Sequence, residues 1–132
     1  MNKNTNAGLL ILRIAIGGLM LLHGIAKLSG IEFIEGMLVS KGLPSLLAYG
    51  VYITEIVAPL LIIVGFRTRL AALVFISGTL FAMLLVHSAD ILTLTSSGGW
   101  GVELLGLYTF GALTLFFTGG GKLALSSANK WD

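Results

Sequence analysis

The sequence predicts an all-α integral membrane protein, a four-helix bundle with a short interfacial helix between its first two spans. Hydrophobic residues make up 56% of the 132 residues, and charged residues only 11%. A mean hydropathy of +0.99 is too high for a soluble domain of this size, whose core could not enclose so many apolar residues. The apolar residues fall in long unbroken runs, whereas the strands of a membrane barrel would alternate. Residues 1–132 therefore form one transmembrane domain in a lipid bilayer.

Four spans are predicted, because a helix of about 20 apolar residues crosses the hydrocarbon core of a bilayer. Their approximate ranges are residues 8–29, 46–66, 69–89 and 102–118. The first run follows a short polar start and could resemble a signal peptide. It is longer than the usual apolar core of such a peptide, and further spans follow it, so we interpret it as a retained helix.

The segment between the first two spans has apolar residues at helical spacing, with its charged residues on the opposite face. The apolar residues are Ile31, Ile34, Met37 and Leu38. This pattern predicts a helix over about residues 31–40 that lies on the membrane surface. Gly42 is expected to end this helix, and Pro44 is expected in the first turn of span two.

The basic residues predict the orientation of the bundle, because cytoplasmic loops carry an excess of Lys and Arg. The richer side has Lys3, Arg13, Arg67, Arg69, Lys122 and Lys130. The other side has Lys27 and Lys41 together with Glu32, Glu35, Asp90 and Glu103. The chain is therefore expected to be a multi-pass protein of the cytoplasmic membrane with both termini in the cytoplasm.

Several chemistries have no support in the sequence. The chain has no cysteine, which excludes disulfides, thiolate metal sites and thiol redox reactions. A net charge of +2 without a basic run gives no sign of nucleic-acid binding. The histidines and carboxylates do not follow a metal-ligand spacing, and the serines do not belong to a nucleophile motif, so we predict neither a metal site nor hydrolytic chemistry.

Glu55 is the most informative residue, because it lies in the middle of the apolar run of span two. An ionisable side chain inside a membrane is costly and is retained when it is paired or used. Helix geometry places Glu55 about 14 Å and His23 about 9 Å below the outer edge of the bilayer. A short connection favours spans one and two as neighbours, so Glu55 should pair with His23 or Lys27. Such a pair serves either packing or chemistry.

One stripe of span one is polar or small, whereas its other faces are Leu, Ile and Ala. The stripe consists of Arg13, Gly17, Met20, His23, Gly24 and Lys27, which fall within a sector of about 120°. It should therefore face protein, and Gly17 and Gly24 should let another helix backbone come close.

Further polar groups are expected near Glu55, in the outer half of the bundle. With His87 at the end of span three and Glu103 at the start of span four, the expected group is His23, Lys27, Glu55, His87 and Glu103. Tyr52 shares a helix face with Glu55 and should donate to its carboxylate. Pro59 cannot donate a hydrogen bond to the carbonyl of Glu55, so the helix should kink there.

Simpler interpretations remain for most of these residues. One alternative is that Lys27 extends its ammonium group to the interface, and another is that His87 is an ordinary interface residue. Glu103 fits the positive end of span four. Arg67 and Arg69 are interpreted as topology signals in a tight turn.

The same residues carry a resemblance to a known family. Span one reads LRIAIGGLMLLHGIAKLSG over residues 12–30, followed by KGLP at 41–44, Glu55 in mid-span and GFRTRLAAL at 65–73. With His87, Glu103 and the glycines of 119–121, this order and spacing resembles the DoxX family of small four-span bacterial and archaeal membrane proteins. One departure is Gly-Gly-Gly at 119–121, where the family often has Gly-Pro-Gly.

The resemblance implies a function linked to quinones. The family takes its name from a subunit associated with a thiosulfate–quinone oxidoreductase, and other members are linked to respiratory and oxidative-stress complexes. On this interpretation His23 and Tyr52 bind the carbonyls of a quinone, Glu55 exchanges protons, and Arg13 braces the bundle. A redox protein partner would supply electrons, because the chain has no haem-ligand pattern or nucleotide-binding loop. A carrier or channel for a small solute or proton, and a non-catalytic subunit or assembly factor, remain alternatives. The oligomeric state is left open.

Overall fold

The computed structural model describes residues 4–132, so Lys3 of the orientation argument lies outside the described residues. Within that range the chain is helical, and its β-structure is one isolated bridge between Leu94 and Trp100. The five helices are α1 (Thr5–Ala26), α2 (Glu32–Ser40), α3 (Ser45–Val64), α4 (Thr68–Leu85) and α5 (Glu103–Thr118). A short 3₁₀ turn, Lys27–Ser29, extends α1. The predicted all-α fold class is confirmed.

The long helices have the composition of membrane spans. Helices α1 with its 3₁₀ extension, α3 and α4 are long and apolar enough to cross a bilayer, whereas α5 is apolar but has only 16 residues. Helix α1 begins at Thr5, before the predicted start at residue 8, and α4 ends at Leu85 and not near residue 89. Beyond Leu85 the chain forms a separate turn, in which the backbone N–H of Asp90 donates to the carbonyl of His87 at 2.9 Å.

The four long helices pack side by side around one core. Helix α4 packs extensively on α5, α3 lies between α1 and α4, and α1 also contacts α5. Spans one and two are therefore neighbours, as expected. Large core residues include Ile62, Phe75 and Leu115. The outward face of α1 exposes apolar side chains, Ile11, Ile14, Leu19 and Leu22, which is stable only if lipid covers them.

Two glycines on the buried stripe of α1 allow its close contact with α3. A Cβ atom at Gly17 would lie 2.7 Å from Cγ1 of Ile63 and 3.0 Å from the carbonyl oxygen of Pro59. A Cβ atom at Gly24 would collide with the carbonyl oxygen of Glu55. Only glycine therefore permits the two backbones to come this close. This close contact packs the middle of α3 against α1.

Helix α3 changes its winding around Glu55. It begins as a 3₁₀ helix over Ser45–Tyr49, becomes π-helical over Ile53–Val57 and ends as an α-helix over Ala58–Val64. Pro59, in the first turn of the last segment, has no N–H for the carbonyl of Glu55. The turn before this proline is π-helical over Ile53–Val57, a feature often found at functional sites, and the kink expected at Pro59 stays a prediction.

Helix α2 lies against the bundle through the apolar face that the sequence predicted. Leu38, with Ile31 just before the helix, forms a buried cluster with Ala48 and Leu85. The helix ends at Ser40, and Gly42, the residue expected to end it, follows in a left-handed conformation (φ 71°). Pro44 precedes the first turn of α3 and does not lie within it, because its backbone is extended (ψ 131°).

The segment after α5 caps two helix ends at the turn between α3 and α4. The carbonyl of Trp131 accepts from the backbone N–H of Arg69 at 3.0 Å, in the first turn of α4. The N–H of Leu125 donates to the carbonyl of Val64 at 3.1 Å, at the end of α3. These bonds satisfy backbone groups that helix ends leave free, so residues 119–132 belong to the folded unit.

Arg67 and Arg69 hold this segment in place, a role that the topology interpretation did not include. Nη1 of Arg67 lies 3.4 Å from Oδ1 of the buried Asp132. The pKa of Asp132 is lowered, chiefly by the hydrogen bond from Ser126 and further by Asn129 and Arg67, although burial opposes the shift. Nη2 of Arg69 donates to the carbonyl of Phe117 at 3.4 Å.

Arg13 joins α1 to the same region. Its side chain is only 1% exposed and donates three hydrogen bonds to backbone carbonyls. The acceptors are Gly120 at 2.9 Å, Ile63 at 3.2 Å and Leu123 at 3.2 Å. A guanidinium group can serve several acceptors at once because its donors form a fixed fork. We call this end of the bundle, with Arg13, Arg67, Arg69, Lys122 and Lys130, the basic end.

Candidate functional site

A cavity of about 770 Å³ opens among α1, α3, α4, α5 and the loop before α5. Its volume is in the range of small-molecule sites, which are mostly apolar with a few placed polar groups. Most of its lining is apolar, and the polar group expected from the sequence also lines it: His23, Lys27, Glu55, His87 and Glu103. We call it the Glu55 cavity. The five residues that were expected at similar depth therefore line one cavity.

Glu55 and Lys27 form an ion pair in the wall of this cavity. The ammonium of Lys27 donates to Oε1 of Glu55, and the two side chains are 34% and 12% exposed. The 3₁₀ turn after α1 carries Lys27, and the π-helical turn of α3 carries Glu55. The other carboxylate oxygen, Oε2, is buried and has no hydrogen-bond partner within residues 4–132.

His23 lies on the cavity but does not pair with Glu55. Its ring makes an edge-on contact with Tyr108, with ring centroids 6.3 Å apart. Tyr108, only 4% exposed, also packs edge-on against Phe75 with centroids 6.0 Å apart. Sequence reasoning missed Tyr108 because it lies in an apolar span without a neighbouring charge. The sequence signal that could have pointed to Tyr108 is a tyrosine in the middle of an apolar span, since a buried Tyr usually needs a partner for its hydroxyl.

Tyr52 does not donate to Glu55, contrary to the expected contact. Its hydroxyl donates to the backbone carbonyl of Lys27 at 3.2 Å, and its ring packs on Tyr49. The expected contact assumed a regular α-helix, but the chain becomes π-helical directly after Tyr52, which rotates Glu55 away from it. Tyr52 therefore steadies the turn that carries Lys27, and it is not among the residues that line the cavity.

The remaining polar residues lie at the rim. Nδ1 of His87 is 3.2 Å from Oδ2 of Asp90, and both side chains are about half exposed, at 44% and 51%. Glu103 is exposed in the first turn of α5, where it also faces the positive end of that helix. Trp100 closes one side: its Nε1 donates to the carbonyl of Ile91 at 2.7 Å. In residues 4–132 there is no group of three or more His, Cys, Asp or Glu that could hold a metal ion.

Fold and cavity together define a small helical membrane protein with a charged pair in a mostly apolar pocket. The chain belongs to the DoxX family, whose model matches residues 8–88. That range contains most of α1 and all of α2 to α4, whereas Trp100, Glu103 and Tyr108 of the cavity lie outside it.

A relative from Bacillus subtilis (strain 168) extends the similarity over most of the chain. It is named "Putative oxidoreductase CatD" and is 31% identical over 125 residues, which are 95% of this chain and 89% of the relative. No solved structure matches the chain.

Proposed function

We propose that this chain is the membrane component of a quinone-linked redox or oxidative-stress system and binds a quinone headgroup in the Glu55 cavity. The observation that carries the proposal is the carboxylate of Glu55. One of its oxygens accepts from Lys27, whereas the other is buried without a donor among the described residues. A buried polar atom without a partner costs free energy. A proton or a bound ligand would remove that cost.

The cavity suits a flat ring with two carbonyl oxygens. The ammonium of Lys27 and the ring of His23 supply hydrogen-bond donors on one wall. Phe75 and Tyr108 supply aromatic surface, which favours stacked or edge-on contact with a planar ring. Tyr52 acts indirectly, because its hydrogen bond to the Lys27 carbonyl positions the ammonium.

The residues of the site handle protons and not electrons. A bound quinone supplies the redox chemistry, because it takes up two electrons and two protons. Glu55 would pass one proton from Oε2 to a quinone oxygen and take up a second from water for the other oxygen, while Lys27 stabilises the carboxylate in its ionised form. Electrons come from a redox protein partner, since the chain has no cysteine. The name of the Bacillus subtilis relative, "Putative oxidoreductase CatD", supports the redox class.

Tryptophan fluorescence tests the binding site, because the chain has two tryptophans. Trp100 lines the Glu55 cavity, whereas Trp131 lies at the basic end. Titration of the Trp131→Phe protein with a short-chain quinone should quench Trp100 saturably. The matched Trp100→Phe protein should show only the weak, linear quenching of quinone dissolved in the detergent.

Equal quenching in both proteins would exclude a quinone at this site. Mass spectrometry of the lipids extracted from the purified protein gives a second measurement, and copurified quinone is expected. If quinone is absent from both experiments but liposomes with the chain pass protons or a small solute, the carrier alternative replaces the proposal. If neither quinone binding nor transport is observed and a protein partner copurifies, the subunit or assembly-factor alternative replaces the quinone proposal.

We also propose a cytoplasmic-membrane location with four spans and the basic end in the cytoplasm, because basic residues are retained on that side. Arg13, Arg67 and Arg69 lie together at this end. The chain has no native cysteine, so single-cysteine labelling reports one position. Ser97→Cys, in the exposed loop before α5, should react with an impermeant maleimide from outside the cell. Reaction only after access from the cytoplasmic side would reverse the orientation.

A further inference from the structure

A second cavity, of about 690 Å³, lies at the basic end and is separate from the Glu55 cavity. The glycines of 119–121 form part of its wall, beside Asn6. Three cationic side chains also line it: Arg69, Lys122 and Lys130. We call it the Arg69 cavity. None of these residues takes part in the quinone site.

The charge of the Arg69 cavity is not balanced by its own carboxylate. Asp132 is the acidic residue in its lining. The side-chain oxygens of Asp132 are already engaged, by Arg67 at 3.4 Å, Ser126 at 2.7 Å and the backbone N–H of Asn129 at 2.6 Å. Three cations therefore face one carboxylate that has other partners. This imbalance favours an anion.

Arg69 retains donor capacity toward such an anion. Its terminal nitrogens make only long contacts to the carbonyls of Phe117 at 3.4 Å and Lys130 at 3.5 Å. Its Nε is buried and has no acceptor in the part of the chain that the structure describes. A guanidinium group with unused donors is well suited to phosphate oxygens, which it can bind through two parallel hydrogen bonds.

Several exposed apolar residues lie next to, or within three positions of, residues that line the cavity along the chain. Phe117 is 70% exposed, Leu125 is 74% exposed and Leu123 is 54% exposed. Trp131, whose side chain is 40% exposed, adds an aromatic residue of the kind enriched at the level of lipid headgroups. Apolar side chains beside a cationic cavity match a molecule with both acyl chains and an anionic phosphate.

We propose that the Arg69 cavity binds the phosphodiester headgroup of an anionic membrane lipid. Arg69 contacts the phosphate directly, Lys122 and Lys130 add attraction, and the exposed apolar residues lie against the acyl chains. Basic pockets at the cytoplasmic side of membrane helices bind anionic headgroups by the same physics. Free phosphate offers the same oxygens without the chains, so the test separates the two sources.

The test uses the full chain, delipidated in a neutral detergent, and follows its melting temperature. Phosphatidylglycerol should raise this temperature, whereas phosphatidylcholine and inorganic phosphate at equal concentration should not. In Lys122→Gln/Lys130→Gln, the apparent affinity for phosphatidylglycerol should fall by about fivefold for each lysine removed. Both lysines are exposed, so the lipid-free melting temperature of this variant should match that of the wild type.

Lys41→Gln is the matched control, because Lys41 is also exposed but follows α2, outside the lining of the Arg69 cavity. It should bind phosphatidylglycerol like the wild type. If Lys41→Gln weakens binding as much as the double variant does for each lysine removed, the effect is one of general charge and the proposal is overturned. An equal response to phosphatidylcholine would also overturn it. A response to inorganic phosphate equal to that of the lipid would retain the phosphate site but reject the lipid as its ligand.

Discussion

Glu55→Gln is expected to abolish quinone reduction while the protein still folds and inserts. Glutamine keeps the size of the side chain and much of its hydrogen bonding, but it cannot ionise or carry a proton. The rate should be measured in native membrane vesicles that carry the wild-type chain or the variant and retain the redox partner that supplies the electrons, with a short-chain quinone as acceptor. The rate should be normalised to the amount of chain in the vesicles. The melting temperature of the purified protein should be measured for both proteins as well.

The same substitution has a different result if the Lys27–Glu55 pair is only structural. Removing one partner of a buried ion pair costs about 3–5 kcal/mol. Lys27 is 34% exposed and retains some solvation, so the cost here should lie below that range. The variant would then melt early, yet the molecules that remain folded would keep their activity.

Lys27→Met and the double variant Lys27→Met/Glu55→Gln complete the comparison. The double variant removes both charges, so a structural pair should leave it more stable than either single variant. If the double variant regains both stability and activity, Glu55 has no chemical role and the quinone proposal loses its central residue. If it regains stability but stays inactive, the proton-transfer role of Glu55 is supported.

The site was partly predictable because helix geometry is regular. A rise of about 1.5 Å per residue placed Lys27, Glu55, His87 and Glu103 in one half of the bundle, and all four line one cavity. The estimated depths in the bilayer did not decide whether His23 or Lys27 pairs with Glu55. It depends on the 3₁₀ turn Lys27–Ser29, which turns the lysine toward α3.

Irregular backbone segments could not be predicted from the periodicity of the sequence. The π-helical turn moved Glu55 out of reach of Tyr52, because a pattern of 3.6 residues per turn assumes one winding throughout. The segment after α5 has no periodicity, so its contacts with Arg13, Arg67 and Arg69 had no signal in the sequence. These arginines were interpreted from their charge, whereas their hydrogen bonds to the segment depend on tertiary structure.

Arg13→Met is expected to produce the largest loss of stability at the basic end. Arg13 is buried and donates to the carbonyls of Gly120, Ile63 and Leu123. Each buried carbonyl that loses its donor costs about 1–3 kcal/mol. Because such costs are not additive, we expect a total of about 3–5 kcal/mol. Thermal unfolding of the purified protein in detergent measures the effect.

Arg13→Lys and Lys122→Gln separate the hydrogen bonds of Arg13 from its charge. Lysine keeps the charge but has no planar fork, so Arg13→Lys should lose much of the same stability. Lys122→Gln removes an exposed charge at the same end and should change the free energy of unfolding by less than about 0.5 kcal/mol. If Arg13→Met melts like the wild type, the three hydrogen bonds do not stabilise the fold. If Ser97→Cys in the Arg13→Met protein reacts from the opposite side, Arg13 acts chiefly as a topology signal, because a brace is expected to change stability without changing orientation.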